Sequence, residues 1–386
     1  MPAKIKVKVV DKRTGAAIPN ATVVAFTNFA ARAGAQGVTN SQGMVSLSLG
    51  SSSPQFDRFY VYPKLGYWPV LLQNVTFSTG MKVKLPPIDL SFQDSLRFFY
   101  GESQLGQGAG VTVGVVDTGI APHDDLVIAG GFNAVSGEDP TEFGDNGEGH
   151  GTHVGGIIAA RGTLPTGIRG LAPGVTLRSY RVFGAGQPGA SNFTIAKAID
   201  QAVQDGCDLL NLSLGGGPPD PVLQTAIHDA RQGGCVVLCA AGNDDRSPVS
   251  FPGSDPLSVA VSALGRKGTV PAEAEEVGNI QFPPNGTDPK NYIASFSNVG
   301  PELSLTAPGD GIISTFPGGY AVLDGTSMAC PAATGMAAQL LSSNAALLEM
   351  PRDVNRSEAL VTKLLQTATS LGFGPEFEGH GMLPKS

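Results

Sequence analysis

The grammar of apolar runs changes near residue 111, and that change limits the fold more than any other feature. From there on, short runs with no polar alternation (residues 111–116, 177–183, 209–214, 236–240 and 258–263) alternate with helical periods at 151–160, 193–205 and 221–232. Strands without a polar face are buried on both sides. The alternation therefore predicts an α/β domain, a parallel sheet with helices on both faces. Two more helices are expected at about 327–342 and 356–368. Before residue 88 the runs are of another kind: 5–10, 22–26, 44–49, 59–62, 70–77 and 81–85, separated by turn clusters and lacking any long helical period. They predict a small antiparallel β-sandwich ahead of the α/β domain.

The expected organisation is a sandwich over 1–88, a connector over 89–110 and the α/β domain over 111–386. Pro86-Pro87 ends the first part, and Leu96, Phe98, Phe99 and Tyr100 of the connector are expected to pack on the α/β domain. Residues 266–292, rich in Pro and Glu, read as a long surface loop exposing Glu273, Glu275 and Glu276. The sandwich stands where a removable prodomain could stand. Its closed strand pattern and proline exit favour instead a retained accessory domain that docks a partner or substrate.

Composition narrows the class of function. The chain is 41% hydrophobic and 15% charged, with no apolar run of the roughly 18 residues needed to span a bilayer. A net charge of −8 without a basic tract predicts no nucleic-acid partner, and no membrane association is expected. The opening residues alternate lysine with apolar side chains, which reads as a strand and not as a secretory leader. Cys207, Cys235, Cys239 and Cys330 form no secreted-type framework, so free thiols are expected. The sequon at Asn211 lies inside an apolar run, which argues against glycosylation. These features together predict a cytoplasmic protein, although export by a non-standard route is compatible with them.

Three short motifs carry chemistry. Asp117 closes the apolar strand of "VTVGVVDTGI", at the carboxyl edge where active sites of open α/β sheets gather. Alone it reads equally as a turn or cap residue. His150 in "GEGHGTHVGG" stands just before a helix; its companion His153 makes an H-x-x-H pair, but no H-E-x-x-H metalloprotease signature exists. Ser327 in "DGTSMACPAATG" stands between a glycine turn and an apolar helix, where a serine is by default an N-cap. A hydroxyl, an imidazole and a carboxylate are together what acyl transfer at neutral pH requires.

The blocks "VVDTGI", "GHGTHVGG" and "GTSMACPAATG", in the order Asp, His, Ser, resemble the three signature segments of the subtilase family. The segments "LLNLSLGGG", "CAAGND" and "ASFSNVGPELSLTAPG" between them are similar too, so that the likeness spans about residues 95–386. It implies a serine endopeptidase acting through an acyl-enzyme. Asp117 would orient the imidazole, His150 would act as base and then acid, Ser327 as nucleophile and Asn243 as oxyanion donor. Ser213, Leu214 and Gly215 would pair with a polypeptide substrate bound in extended form. A narrow processing peptidase for one precursor and a catalytically silent binding protein on the same fold are the competing readings. No cofactor is implied for the chemistry; the likeness leaves room for a structural calcium, with Asp125 matching one ligand, but "RGTLPTGIRG" lacks the Asn-rich pattern that would complete the set. The chain departs from the family in having Ala332 after Pro331 and Gly155 in the histidine block. The order "VVDKRTG", "IPNATVVAF", "TNSQGMVSLSL" and "YVYPKLGYWPV", over about 80 residues of the first part, resembles the small carboxypeptidase-regulatory or transthyretin-like sandwich.

Overall fold

A computed structural model describes residues 3–49, 55–77, 80–187, 189–281 and 283–385. The chain divides into two units: Met1–Phe92 with Val270–Asn279 and Tyr320–Val322, and the remainder.

The first unit contains β1 (Ala3–Asp11), β2 (Thr22–Asn28), β3 (Ala33–Val38), β4 (Met44–Leu49), β5 (Gln55–Tyr62), β6 (Val70–Thr76) and β7 (Met81–Leu85). They form two sheets, in the orders β4-β1-β7 and β3-β2-β5-β6. Period-two alternation explains the packing: Ile5, Val7 and Val9 of β1 share one buried cluster with Leu47, Leu85, Phe56 and Phe59 from both sheets. Phe59 stacks on Phe77 with ring centroids 4.4 Å apart. The pairs are antiparallel as expected except one, since β7 runs parallel to β1. The chain reaches β7 from β6, which lies in the other sheet, and a crossover of that kind can return a strand in parallel sense. The strand β3 is also additional to the expectation. Its "AGAQGV" sequence has almost no apolar alternation, and it pairs with β2 so closely that a Cβ on Gly34 would lie 2.0 Å from the Ala25 carbonyl oxygen.

Residues 266–292 are not the solvated loop expected. Ala274 bridges to Val70, and the Glu275 N–H donates to the Pro69 carbonyl at 3.1 Å, which extends the ladder of β6. Glu276 is fully buried instead of exposed, and Glu273 pairs with Lys12.

From residue 93 on, the order is α1 (Ser95–Tyr100), β8 (Thr112–Asp117), β9 (Ile128–Asn133), α2 (His150–Ala159), β10 (Thr176–Arg181), α3 (Asn192–Gln204), β11 (Leu209–Leu212), α4 (Pro221–Gln232), β12 (Val236–Ala240), β13 (Val259–Arg266), β14 (Asn291–Ile293), β15 (Leu303–Pro308), β16 (Ile312–Phe316), β17 (Gly319–Leu323), α5 (Thr326–Ser343), α6 (Ala345–Leu348), α7 (Val354–Thr367) and α8 (Pro375–Glu378). The main sheet of the second unit is ordered β14-β13-β12-β11-β8-β10-β9, with β15 also on β13. Only β14 is antiparallel to its neighbour. The strands β11 and β12 are buried along their whole length, and half-buried positions interrupt the other runs only singly, as at Thr112 and Arg178. Ser191 and Asp220 cap α3 and α4 through the amides of Thr194 and of Val222 and Leu223, and Pro221 takes the first turn, where its missing N–H costs nothing.

In the connector, Asp94 is buried, accepts from the Arg97 amide and also accepts from Ile313 N at 3.0 Å. Leu96 and Tyr100 are buried as expected, whereas Phe98 is 41% exposed, with the Arg266 guanidinium 4.1 Å above its ring. Strand β8 sits between β11 and β10, where the strand order reverses, and its carboxyl end opens a crevice. No helix among the described residues is long and apolar enough to cross a membrane.

Candidate active site

Asp117 is the last residue of β8 and has no solvent exposure. Its Oδ1 accepts from the Thr118 amide at 2.7 Å, and both carboxylate oxygens accept from His150 Nδ1, at 2.8 and 3.0 Å. His150 opens α2 behind Gly149, whose φ of +82° suits glycine and whose missing Cβ would otherwise lie 2.5 Å from Phe316. A Cβ on Gly151 would meet the Gly119 carbonyl at 2.4 Å, so the glycines flanking His150 are what let α2 approach β8. The Thr118 hydroxyl accepts from Gly151 N and donates to Asp145, which also accepts from the amides of Gly147 and Gly149. Asp145 escaped the sequence reading because "GDNGEG" signals only a turn.

Burial of the imidazole disfavours its protonated form, but the charge and hydrogen bond of Asp117 and the charge of Asp145 outweigh it. The His150 pKa is raised above the usual histidine value. About a third of the side chain, 32%, stays open to solvent.

Ser327 is the second residue of α5, after Gly325 at φ +145°. Four residues on, Pro331 has no N–H to give the Ser327 carbonyl. That orphaned carbonyl accepts instead from the Ser213 hydroxyl at 2.8 Å, while the Ser327 hydroxyl donates to the Ser213 carbonyl at 3.1 Å. Ser213 Oγ accepts in turn from the buried Asn211 amide at 2.9 Å, which accounts for the position of this sequon in the core. Gly155 has a local reason too, because a Cβ there would press on Ile120 Cδ1 at 3.1 Å.

Asn243 follows β12. Its Oδ1 accepts from both the amide and the hydroxyl of Thr326, each at 2.9 Å. The Thr326 hydroxyl accepts from Gly242 N, so the side-chain amide is locked with Nδ2 on the Gly325 side. Sequence reading missed Thr326, since a threonine before a helix reads as a cap.

Leu214 and Gly215 line three contiguous cavities. One of about 490 Å³ is bounded by His150, Glu148, Asn146 and Phe183. A second of about 330 Å³ reaches Asn243 and Ser327. The third, about 280 Å³, has Ile195, Leu223, Phe251 and Asn192 in its wall. The Gly216 amide donates to the Phe251 carbonyl at 2.8 Å, joining the stretch after Gly215 to the stretch around Phe251.

His153 is buried and bonds Ile312 O through Nε2, so the H-x-x-H spacing does not bring two rings to one site. Among the described residues no group of three or more His, Cys, Asp or Glu side chains is placed to hold a metal ion. The Asp125 loop does not suit calcium. Asp125 Oδ2 already accepts from Ile168 N at 2.8 Å, and the Arg169 guanidinium donates to Gly162 O and Thr163 Oγ1, so a cation already occupies the oxygens of this loop. Cys330 is fully buried, and burial pushes its thiol well above the ordinary range, so it is a packing residue. Cys235 and Cys239 are core residues as well, the latter pushed up to about 12 by burial.

An open parallel sheet with an aspartate–histidine pair and a helix-start serine at its carboxyl edge is the layout of a serine hydrolase. The chain matches the model of the subtilase family over residues 108–381 and belongs to that family. It is 38% identical over 266 residues to subtilisin BL of Lederbergia lenta, covering 69% of this chain and 86% of that one. With subtilisin DY of Bacillus licheniformis it shares 36% over 277 residues, 70% of this chain and 88% of the other. Sphericase superposes with a TM-score of 0.61 at 26% identity, over 76% of this chain and 99% of its own. The protein is a subtilisin-like serine endopeptidase acting on polypeptides, with a chemistry that needs no cofactor.

Proposed function

We propose that Asp117, His150 and Ser327 are the catalytic residues and Asn243 the oxyanion donor of this endopeptidase. The observation that carries the reading is the two-oxygen grip of fully buried Asp117 on His150 Nδ1. It fixes the imidazole with Nδ1 as donor, which leaves Nε2 on the opposite side of the ring as the base. A substrate strand pairs with Leu214 and Gly215 by main-chain hydrogen bonds. The Ser327 hydroxyl turns from the Ser213 carbonyl to Nε2, its oxygen attacks the scissile carbonyl carbon, and the proton passes to His150. The oxyanion is met by Asn243 Nδ2 and the Ser327 amide at the start of α5. His150 then protonates the leaving amine. Water, deprotonated by the same ring, attacks the acyl-enzyme and releases Ser327.

A fluorophosphonate label followed by peptide mapping tests the nucleophile, beside Ser327→Ala and His150→Ala. The label is expected on Ser327, with each variant losing about 10⁶-fold in kcat. More than a few per cent of activity left in Ser327→Ala would remove it from the role.

A further inference from the structure

The lysines of the first unit do not scatter over its surface. Lys4, Lys6 and Lys8 alternate along β1 with buried Ile5 and Val7, so all three stand on the outer face of the β4-β1-β7 sheet. The parallel register sets Lys8 beside Lys82, and Lys84 one step further along. On the other flank, Lys4 and Lys6 are paired with Ser48 and Ser46. Five ammonium groups therefore share one face, with no acidic residue at any outward position of the three strands. None of the five takes part in an ion pair among the described residues.

Such segregation is unusual. Protein surfaces ordinarily intersperse both signs, and like charges directly opposite one another weaken a sheet. Residues 1–92 hold ten lysines and arginines against three aspartates and no glutamate, a net +7 in a chain whose total is −8. Three glutamates join this unit away from the lysine face: Glu273 is paired with Lys12, Glu276 is buried, and Glu275 is bonded through its amide to Pro69, next to β6 of the other sheet.

We propose that this face docks acidic polypeptide, an extended segment rich in Asp and Glu belonging to a substrate or partner. An extended chain repeats its same-side side chains about every 6.6–6.8 Å, the spacing of Lys4, Lys6 and Lys8 along β1. Alternate carboxylates of a segment lying along β1 meet successive lysines, and Lys82 and Lys84 add a second row about 4.8 Å away. No aromatic ring stands on the face, so it lacks the stacking platform that single-stranded nucleic acid uses. Polypeptide is also what the enzyme acts on, and a second binding site for the same chain raises the local concentration of acidic substrates.

The test is fluorescence anisotropy of labelled poly-L-glutamate of about 20 residues, a length chosen to span the face. The full chain is used with Ser327→Ala in every arm, so that the readout is binding and not turnover. Binding is expected, weakening steeply as salt rises from about 50 to 200 mM. The triple change Lys6→Gln, Lys8→Gln, Lys82→Gln should lower affinity about tenfold. The exposed Lys363→Gln should leave it unchanged. Equal binding by the triple variant overturns the proposal. So does tighter lysine-dependent binding of phosphatidylserine-containing vesicles or duplex DNA at the same salt, which would assign the face to a membrane or to nucleic acid.

Discussion

Ser213 and Ser327, distant in sequence, exchange two hydrogen bonds: the hydroxyl of Ser213 donates to the carbonyl of Ser327 at 2.8 Å, and the hydroxyl of Ser327 to the carbonyl of Ser213 at 3.1 Å. The first exists because Pro331 leaves the Ser327 carbonyl without a helical partner. Ser213→Ala should therefore leave the half-buried Ser327 carbonyl without this donor and the buried Asn211 amide without this acceptor, costing about 1–3 kcal/mol of stability. Chemical denaturation measures it. An unchanged unfolding midpoint with unchanged slope would show the bond to be dispensable.

Asn243→Ala should lower kcat by about 10²–10³-fold, because an oxyanion exists only in the transition state and intermediates. KM should barely move. A change confined to KM would place Asn243 in ground-state binding.

The acid limb of kcat/KM should follow His150. Its folded pKa is raised by Asp117 and Asp145, so activity, which needs the neutral imidazole, falls as pH drops through that raised value. Stability carries the opposite sign: the charged pair stabilises fully below the unfolded histidine pKa and this contribution fades as pH rises through the folded one. Asp145→Asn removes one raising charge and should move the limb to lower pH. A limb that stays in place would mean that Asp145 acts only through its hydrogen bonds.

Chelation should not inactivate the enzyme within minutes. Asp125 and Arg169 hold their loop by direct hydrogen bonds. Asp125→Ala should lower Tm by a few degrees, calcium present or not, as an amide loses its acceptor. Rapid loss of activity in chelator, restored by calcium, would contradict this.

The first unit should be retained. Its sheet is extended by Ala274, and Gly66 N donates to Tyr320 O at 2.9 Å, so segments far along the chain complete it. Excision after β7 would strand these segments. Intact mass of wild type beside Ser327→Ala checks it; loss of about 85–95 residues in the wild type alone would show a removable prodomain instead.

The sequence by itself determined what depends on local pattern. Unbroken apolar runs such as 236–240 had to be interior strands, Asp220-Pro221 had to open a helix, and glycines around His150 and Ser327 marked places where backbone must come close. Three motifs in order carried the family. What it could not show depends on which residues meet across long stretches of chain. Glu276 looked like solvated charge in a polar stretch, and only the ladder from Ala274 to β6 buries it. Asp145 looked like a turn until the fold brought its charge to His150. Lysines alternating with valines read as one face of a strand, and no basic tract was visible. It took the parallel register of β1 with β7 to bring Lys8 beside Lys82, because charge density on a surface is set by strand pairing and not by spacing along the chain.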